Sequence, residues 1–230
     1  MKLVLFDIDG TLLNSDGAGR RAIQRALVEA FGTAGPDQHW FDGKTDPQIV
    51  HELMALAGVD SATVESRLDG VFARYVELLR DELAAPGHWA AVCPGVPDLL
   101  DALERRDDVI LGLLTGNVQP GAHAKLGAVG IAPERFRVGA FGSDHAVRAE
   151  LPAIARERAS ALVGGDFPGD AMVVIGDTPA DLTCGRGVRA RAVGVATGRY
   201  SVDQLSSYEP AAVFADLRET AAVVAAILGT

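Results

Sequence analysis

The stretch Phe6-Asp7-Ile8-Asp9-Gly10-Thr11 places two aspartates one residue apart, directly after the apolar run at residues 3–6. A short apolar run of this kind predicts a buried β-strand. Because side chains alternate along a strand, Asp7 and Asp9 are expected to project to the same side where the strand ends. Two carboxylates that close together repel each other unless a cation lies among them. The end of the first strand is therefore the first candidate for a functional site.

Short apolar runs recur along the chain and alternate with segments of helical periodicity. We predict further strands at residues 109–114, 136–141, 171–175 and 192–196. We predict helices between and after them at residues 97–103, 122–129, 151–162 and 216–228. Strands that alternate with helices of this length are typical of βαβ units, which form a parallel sheet. The sequence thus predicts an α/β fold with a Rossmann-like parallel sheet.

The interval from residue 15 to residue 90 interrupts this alternation. It contains no convincing strand, and its periodicity predicts helices at residues 20–31, 47–57 and 62–83. Several helices in a row after the first strand indicate an inserted helical domain. We therefore expect a core domain formed by residues 1–14 and 91–230, and a cap domain formed by residues 15–90.

Polar residues also follow two other predicted strands. Thr115, Gly116 and Asn117 come after the second strand, and Asp177 and Asp181 come after the fourth. In open α/β sheets the ligand crevice lies beyond the carboxyl ends of the strands. We therefore expect these residues to gather with the two aspartates that follow the first strand.

The chemistry of the gathered side chains indicates a phosphate site with a metal ion. With Asp177 added to Asp7 and Asp9, two or three carboxylates surround one point, which suits a hard cation such as Mg²⁺. The hydroxyl of Thr115 and the backbone N–H groups that follow it, at a helix start, favour an oxyanion. Gly10 permits a tight turn between these parts.

Three ordered segments of the sequence resemble motifs of the haloacid dehalogenase superfamily: DxDGT at residues 7–11, TGN at residues 115–117 and GDTxxD at residues 176–181. With a helical insertion after the first motif, the chain resembles the phosphoglycolate phosphatase-like branch, whose helical cap is of the C1 type. The resemblance covers nearly the whole chain. It implies a magnesium-dependent phosphatase that hydrolyses a small-metabolite phosphomonoester, phosphoglycolate-like or a sugar phosphate, through an aspartyl-phosphate intermediate.

The resemblance also implies roles for the four aspartates. Asp7 would be the nucleophile, and Asp9 would protonate the leaving oxygen and later activate water. The Asp7 side chain, the Asp9 backbone carbonyl and the Asp177 side chain would hold Mg²⁺, supported by Asp181. Because dehalogenases of the superfamily carry a different residue at the Asp9 position, Asp9 favours phosphoryl transfer.

The resemblance further implies phosphate-binding residues and a cation that touches the nucleophile. Thr115 and the backbone of Gly116 and Asn117 would bind the transferring phosphoryl group. For the cation we favour Arg148, just before a predicted helix, although the Lys-Pro context usual in the family is missing there. Lys125, in the helix after TGN, is the competing candidate.

Residues 41–46, FDGKTD, resemble the cap loop that such phosphatases present to substrate. Lys44 is the candidate substrate contact in this loop. The alternative is a simple turn and helix cap built by Gly43, Thr45 and Asp46.

The composition limits which partners and which cellular location we expect. The formal net charge of -10, without a run of Lys or Arg, argues against nucleic acid and against anionic membrane surfaces as partners. The sequence has no apolar run of membrane-spanning length and no signal peptide pattern, so we expect a cytoplasmic monomer or homodimer. A phosphomutase of the same fold and a non-catalytic phosphate- or metal-binding module remain the alternative functions.

Overall fold

The computed structural model describes residues 1–229, and a six-stranded parallel sheet forms its centre. The strands are β1 (Lys2–Phe6), β2 (Leu13–Asn14), β3 (Ala91–Val92), β4 (Val109–Thr115), β5 (Val138–Phe141), β6 (Met172–Gly176), β7 (Arg191–Val195) and β8 (Ala212–Phe214). The helices are α1 (Ala18–Phe31), α2 (Asp46–Leu56), α3 (Ser61–Ala84), α4 (Val96–Glu104), α5 (Gln119–Ala128), α6 (Leu151–Val163), α7 (Pro179–Cys184), α8 (Val202–Ser206) and α9 (Thr220–Leu228).

The order of strands in the large sheet is β5-β4-β1-β6-β7-β8, and every neighbouring pair is parallel. β1 lies in the interior of the sheet, with Leu5 opposite Gly112 on one side and Val174 on the other. Strands buried on both faces read as continuous apolar runs, which is why the five predicted strands could be found from the sequence. The predicted α/β class is confirmed.

Apolar clusters cover both faces of this sheet. On one face, side chains of α4, α5 and α9 pack against β1, β4, β6 and β7, with Leu99, Leu126 and Ile227 among the buried residues. On the other face, α6 packs against the sheet through Leu151 and Ala155. The core therefore has three layers, helices on both sides of a parallel sheet.

Residues 15–90 are helical, as predicted, and are bracketed by β2 and β3. These two short strands pair antiparallel, Leu13 opposite Val92, so the chain leaves the sheet and returns to it side by side. α1, α2 and α3 bury an apolar cluster of their own, which includes Leu27, Leu53 and Leu79. We call residues 15–90 the helical insertion.

The structure differs from the sequence prediction mainly in short elements. β2, β3, β8, α7 and α8 were not predicted, because elements of two to six residues leave too little periodicity to detect. The last helix begins at Thr220 rather than at residue 216, since the Asp216 carboxylate caps a turn by accepting the Arg218 N–H at 2.9 Å. Within residues 1–229, no helix is long and apolar enough to cross a membrane.

Candidate active site

The carboxyl ends of the neighbouring strands β4, β1 and β6 meet at one edge of the sheet and carry the predicted site residues. Asp7 directly follows β1, and its backbone N–H continues the ladder to the Ile175 carbonyl at 2.9 Å. Thr115 ends β4, and Asp177 follows β6. All three side chains are buried. The sheet topology therefore brings together the residues that the sequence analysis collected from separate segments.

Three carboxylates form a compact acidic cluster at this edge. One oxygen each from Asp7, Asp177 and Asp181 lies within 4.8 Å of the others, and all three residues are buried. The side chain of Asp9 is not part of this cluster and points instead toward the loop that follows β4, where it meets Asn117.

Burial and mutual repulsion make this cluster costly to ionise. Burial, together with the charges of Asp181 and Asp9 and against the attraction of Arg148, raises the pKa of Asp7 to about 6. Burial, followed by the charges of Asp181 and Asp7, also raises the pKa of Asp177 well above its usual value. A hard divalent cation would relieve both effects, and carboxylate oxygens are the donors that such a cation takes. The cluster therefore fits a divalent metal ion.

Asp177 is held in place by small residues around its carboxylate. A Cβ atom on Gly10 or on Gly198 would overlap this carboxylate, and Gly10 also has a positive φ of 80°. The hydroxyl of Thr11 donates to Asp177 Oδ1 at 3.2 Å. The Gly-Thr pair that follows the two aspartates thus both turns the chain and orients a carboxylate from another strand.

The guanidinium group of Arg148 contacts Asp7, the candidate nucleophile. It sits in a 3-10 turn just before α6, is buried, and donates from Nη2 to Asp7 Oδ1 at 3.0 Å and to Asp181 Oδ1. Asp181 is fixed in turn, because its Oδ2 accepts the backbone N–H of Thr178 at 3.0 Å and the Thr178 hydroxyl at 2.7 Å. Among the described atoms, Arg148 Nε is buried without a hydrogen-bond partner.

The ammonium group of Lys125 contacts Asp9. Its Nζ is 2.5 Å from Asp9 Oδ2 and 2.6 Å from Asn117 Oδ1, and the side chain is buried. Burial alone would raise the pKa of Asp9, but the charge and hydrogen bond of Lys125, with hydrogen bonds from Asn117 and Ser15, hold that pKa below its usual value. The two candidate cations therefore occupy different places, Arg148 beside Asp7 and Lys125 beside Asp9.

The loop after β4 connects these groups. The Asn117 amide donates to Asp9 Oδ2 at 2.9 Å and to the Thr115 hydroxyl at 2.8 Å. A Cβ atom on Gly116 would overlap the carbonyl of Lys44, so glycine is required where the helical insertion approaches this loop. The loop thus touches both Asp9 and the insertion.

A cavity of about 300 Å³ lies between the sheet edge and the helical insertion. Ligand cavities are commonly roughly 300–1,000 Å³, so this one suits a small molecule. From the core it is lined by residues that include Asp7, Asp9, Thr115, Gly116, Asn117, Lys125, Arg148 and Asp177. From the insertion it is lined by residues that include Arg20, Ile23, Phe41, Lys44, Asp46, Ile49 and Tyr75.

Residues 41–46 cap a helix and also line the cavity. Thr45 caps α2 by accepting the Gln48 N–H at 3.2 Å, and Gly43 has a positive φ of 73°. Lys44 lines the cavity, while its ammonium group contacts Glu52 and lies 3.2 Å from His39 Nε2. The loop is a helix cap, and it also forms part of the cavity wall.

Sequence reasoning did not place Arg20 and Tyr75 of the insertion at the cavity. Which side of an inserted helix faces the core depends on packing between segments distant in sequence, so periodicity could not identify them. One signal was present: a glycine stands at position 19, inside the first turn of α1. A Cβ atom there would lie 3.1 Å from Lys125 Nζ, so this glycine marks a close approach of α1 to the site.

Comparisons with known proteins agree with this geometry. Residues 4–186 match the model of the haloacid dehalogenase-like hydrolase family. A phosphoglycolate phosphatase of Pseudomonas putida is 28% identical over 229 residues, which cover 94% of this chain and 77% of that protein. A 5'-nucleotidase of Pseudomonas aeruginosa is 26% identical over 216 residues, covering 93% of this chain and 91% of that protein. The crystal structure of CbbY from Rhodobacter sphaeroides in complex with phosphate has the same fold, with a TM-score of 0.71 and 21% identity over 95% of this chain and 96% of that chain.

Proposed function

Because the chain belongs to the haloacid dehalogenase-like hydrolase family, we propose that it is a magnesium-dependent phosphatase that hydrolyses a small-metabolite phosphomonoester through an aspartyl-phosphate. One observation carries this proposal: Asp7 lies in the acidic cluster with Arg148 bound to it, while Asp9 is held apart by a second cation, Lys125. Two neighbouring carboxylates are thereby given different surroundings, which allows them different roles.

The proposed reaction has two displacements at phosphorus. In the first, an oxygen of Asp7 forms a bond to phosphorus, the bond to the leaving oxygen breaks, and Asp9 gives that oxygen a proton. In the second, Asp9 takes a proton from a water molecule that attacks phosphorus. The bond to Asp7 then breaks, which returns the free carboxylate and releases inorganic phosphate.

The transferring phosphoryl group is proposed to lie between the loop after β4 and Arg148. Thr115, Gly116 and Asn117 border the cavity there, and so does Arg148, whose Nη2 is bound to Asp7. An arginine already held by two carboxylates loses little side-chain freedom when it binds a phosphate oxygen.

Asp7, Asp177 and the backbone carbonyl of Asp9 are proposed to hold the magnesium ion, with Asp181 in support. When bound, the ion supplies charge stabilisation for the phosphoryl oxygens and neutralises the repulsion within the acidic cluster. Asp181 acts mainly through its contacts, because its two oxygens are engaged by Arg148 and Thr178.

The helical insertion is proposed to be a cap domain, residues 15–90, on a core formed by residues 1–14 and 91–230. The insertion has its own apolar cluster and closes one side of the cavity. Lys44 is proposed to contact the substrate from this side. The names of two relatives, a phosphoglycolate phosphatase and a 5'-nucleotidase, both describe hydrolysis of a phosphomonoester.

Release of inorganic phosphate from an aryl phosphate, measured with Mg²⁺ and after chelation, tests this function. We expect magnesium-dependent release, and the Asp7→Asn variant serves as the matched inactive control. Absence of release from aryl phosphates and from a panel of phosphorylated metabolites would instead favour a binding module. Interconversion of hexose phosphates without release of phosphate would favour a phosphomutase.

A further inference from the structure

Five cationic side chains line the cavity, and four of them are paired with carboxylates. Arg148 is paired with Asp7 and Asp181, Lys125 with Asp9, Lys44 with Glu52, and the half-exposed Arg199 with Asp42 at 3.7 Å. The fifth is Arg20. Among residues 1–229, no carboxylate forms an ion pair with its guanidinium group. Arg20 is therefore the cavity cation whose charge is left uncompensated.

The position of Arg20 is fixed by neutral partners. Its Nη2 donates to the His39 carbonyl at 2.8 Å and its Nη1 to the Asp37 carbonyl at 3.4 Å. Its guanidinium carbon lies 3.7 Å from the centre of the Phe41 ring. Stacking and two carbonyl contacts hold the planar group in one place without cancelling its charge.

The surroundings of Arg20 favour an anion from the substrate. The first turn of α1, which carries Arg20, contains no acidic side chain. Two carboxylates from the insertion also line the cavity, but Asp42 faces Arg199 and Asp46 accepts the Val118 N–H at 2.8 Å. Neither is positioned on Arg20, so a ligand does not have to displace an internal partner to reach it.

Apolar side chains beside Arg20 strengthen its attraction for an anion. Ile23, one turn further along α1, lines the same cavity, as do Ile49 and Tyr75. Such neighbours lower the local dielectric and so strengthen a charge interaction relative to open water. Arg20 lines the same cavity of about 300 Å³ as Asp7 and Arg148, so the guanidinium and the core site border one small space.

We propose that Arg20 is a specificity-determining residue that binds a second anionic group, carried by the leaving-group part of the substrate. The inference rests on the proposed phosphatase function, because the phosphate of the same molecule would occupy the site beside Asp7 and Arg148. The favoured substrate is then a short phosphomonoester with a carboxylate or a second phosphate at its other end.

Matched substrate pairs test this assignment. Phosphoglycolate and 2-hydroxyethyl phosphate differ by a carboxylate against a hydroxymethyl group, and 1,3-propanediol bisphosphate and its monophosphate differ by the second phosphate. We expect the wild type to prefer the doubly anionic member of at least one pair by about tenfold or more in kcat/KM, the range for one charge-assisted contact. The pair with the larger preference identifies the anion.

Arg20→Gln should then lower that preference by about tenfold, and Arg20→Lys should retain part of it. Arg21→Gln is the matched control, because Arg21 is the next residue of α1 and is paired with Glu82 away from the cavity. It should leave the preference unchanged. Lys44→Ala should lower the preference less than Arg20→Gln does, since the charge of Lys44 is already balanced by Glu52.

The outcomes separate this inference from the proposed function. If the wild type releases phosphate from both members of each pair equally well, or if Arg20→Gln slows both members in the same proportion, the role of Arg20 is wrong and the phosphatase function stands. If no phosphomonoester is hydrolysed, the phosphatase function fails and the inference fails with it. Should Arg20→Gln not fold, the wild-type preference and the Arg20→Lys variant still decide the question.

Discussion

Asp46 Oδ2 accepts a hydrogen bond of 2.8 Å from the backbone N–H of Val118, and this contact joins the helical insertion to the loop that carries Asn117. The Asp46 N–H in turn donates to the Gly116 carbonyl at 2.7 Å. The neighbouring Thr45 hydroxyl donates to the Ala146 carbonyl at 2.6 Å, two residues before Arg148. The start of α2 is therefore bonded to both core loops that border the candidate phosphate site. Movement of the insertion and the geometry of the site are coupled at this point.

Asp46→Asn should stabilise the protein near neutral pH and remove the contribution of Asp46 to the pH dependence of its stability. Burial raises the pKa of Asp46 to about 6, against the charge of Lys125 and the hydrogen bond from Val118, while Asp9 adds repulsion. Between the usual carboxyl pKa and about 6 the folded state binds more protons than the unfolded state, so this residue destabilises the fold as pH rises. Asparagine keeps an acceptor for the Val118 N–H without the charge. We expect a gain of roughly 1–3 kcal/mol at pH 7.5, shrinking toward pH 5.

Thermal or denaturant unfolding at several pH values measures this difference. Asp69→Asn is the matched control, because Asp69 is exposed on α3 and its loss of charge should change stability by less than about 0.5 kcal/mol at any of these pH values. A difference between Asp46→Asn and the wild type that grows as pH falls would show that the buried charge is not the cause.

The parts of the site that follow buried strands could be predicted from the sequence. Asp7, Thr115 and Asp177 each stand directly after an apolar run, and parallel strands bring their carboxyl ends to one edge. The side-chain period of a strand predicted that Asp7 and Asp9 share one side. In the structure they separate, Asp7 toward Arg148 and Asp9 toward Lys125, because β1 ends at Phe6 and the chain bends at Ile8, between the two aspartates.

Contacts between segments distant in sequence could not be predicted. The ion pair of Lys125 with Asp9 links residues far apart in sequence, and the sequence offered Lys125 only as a candidate cation beside the nucleophile, Asp7. Arg20 could not be identified either, because its significance depends on the absence of a partner rather than on a motif. Such features follow from which surfaces pack together, and they need the tertiary structure.

Asp7→Asn should reduce turnover by several orders of magnitude, because it removes the oxygen anion proposed to attack phosphorus. Folding should survive. Burial raises the pKa of Asp7 to about 6, so replacing the charged carboxylate with an amide removes a cost to the fold at pH 7.5. Phosphate release and the unfolding temperature are the measurements. A well-folded variant with near-normal magnesium-dependent turnover would exclude Asp7 as the nucleophile.

Arg148→Met and Lys125→Met should lose activity in different ways, because the two cations contact different aspartates. Loss of Arg148 leaves Asp7 without its cation and removes a proposed phosphoryl contact, so turnover should fall to a similar extent for good and poor leaving groups. Loss of Lys125 removes the charge that holds the pKa of Asp9 down. The loss of activity toward poor leaving groups with rising pH should therefore shift to higher pH in Lys125→Met. Profiles of activity against pH for a series of aryl phosphates measure both effects. An unshifted profile in Lys125→Met would show that Lys125 does not control the protonation of Asp9.

Asp9→Asn should preserve attack on substrates whose leaving groups need little protonation, while slowing hydrolysis of the aspartyl-phosphate. With its oxygen in the place of Asp9 Oδ2 the amide can still accept from Lys125 and Asn117, and its NH2 group can donate to the Ser15 hydroxyl oxygen, so the loop geometry should be kept. We expect a burst of released phenol from a nitrophenyl phosphate, followed by slow turnover, and a phosphorylated protein detectable by mass spectrometry. Equal loss on good and poor leaving groups, without a trapped intermediate, would count against Asp9 as the proton shuttle.

Asp177→Asn should raise the concentration of Mg²⁺ that is needed for activity, because the carboxylate held by Gly10, Gly198 and Thr11 is a proposed ligand. A readout independent of turnover is available, since an ion that binds only the folded protein stabilises it by about 2.7 kcal/mol at one hundred times its Kd. Added Mg²⁺ should raise the unfolding temperature of the wild type, and the rise should be smaller in Asp177→Asn. Ca²⁺ should inhibit, because its larger and looser coordination misplaces Asp7.

The control for this experiment is Asp170→Asn, an exposed aspartate just before β6 that lies outside the acidic cluster. It should respond to Mg²⁺ as the wild type does, which separates loss of a ligand from a general loss of negative charge. The repulsion within the cluster gives a second check. Without added metal, Asp177→Asn should be at least as stable as the wild type at pH 7.5, because burial and the charges of Asp181 and Asp7 raise the pKa of Asp177. A wild type that keeps full activity after chelation, with no change in unfolding temperature on adding Mg²⁺, would remove the basis for a metal at these three carboxylates.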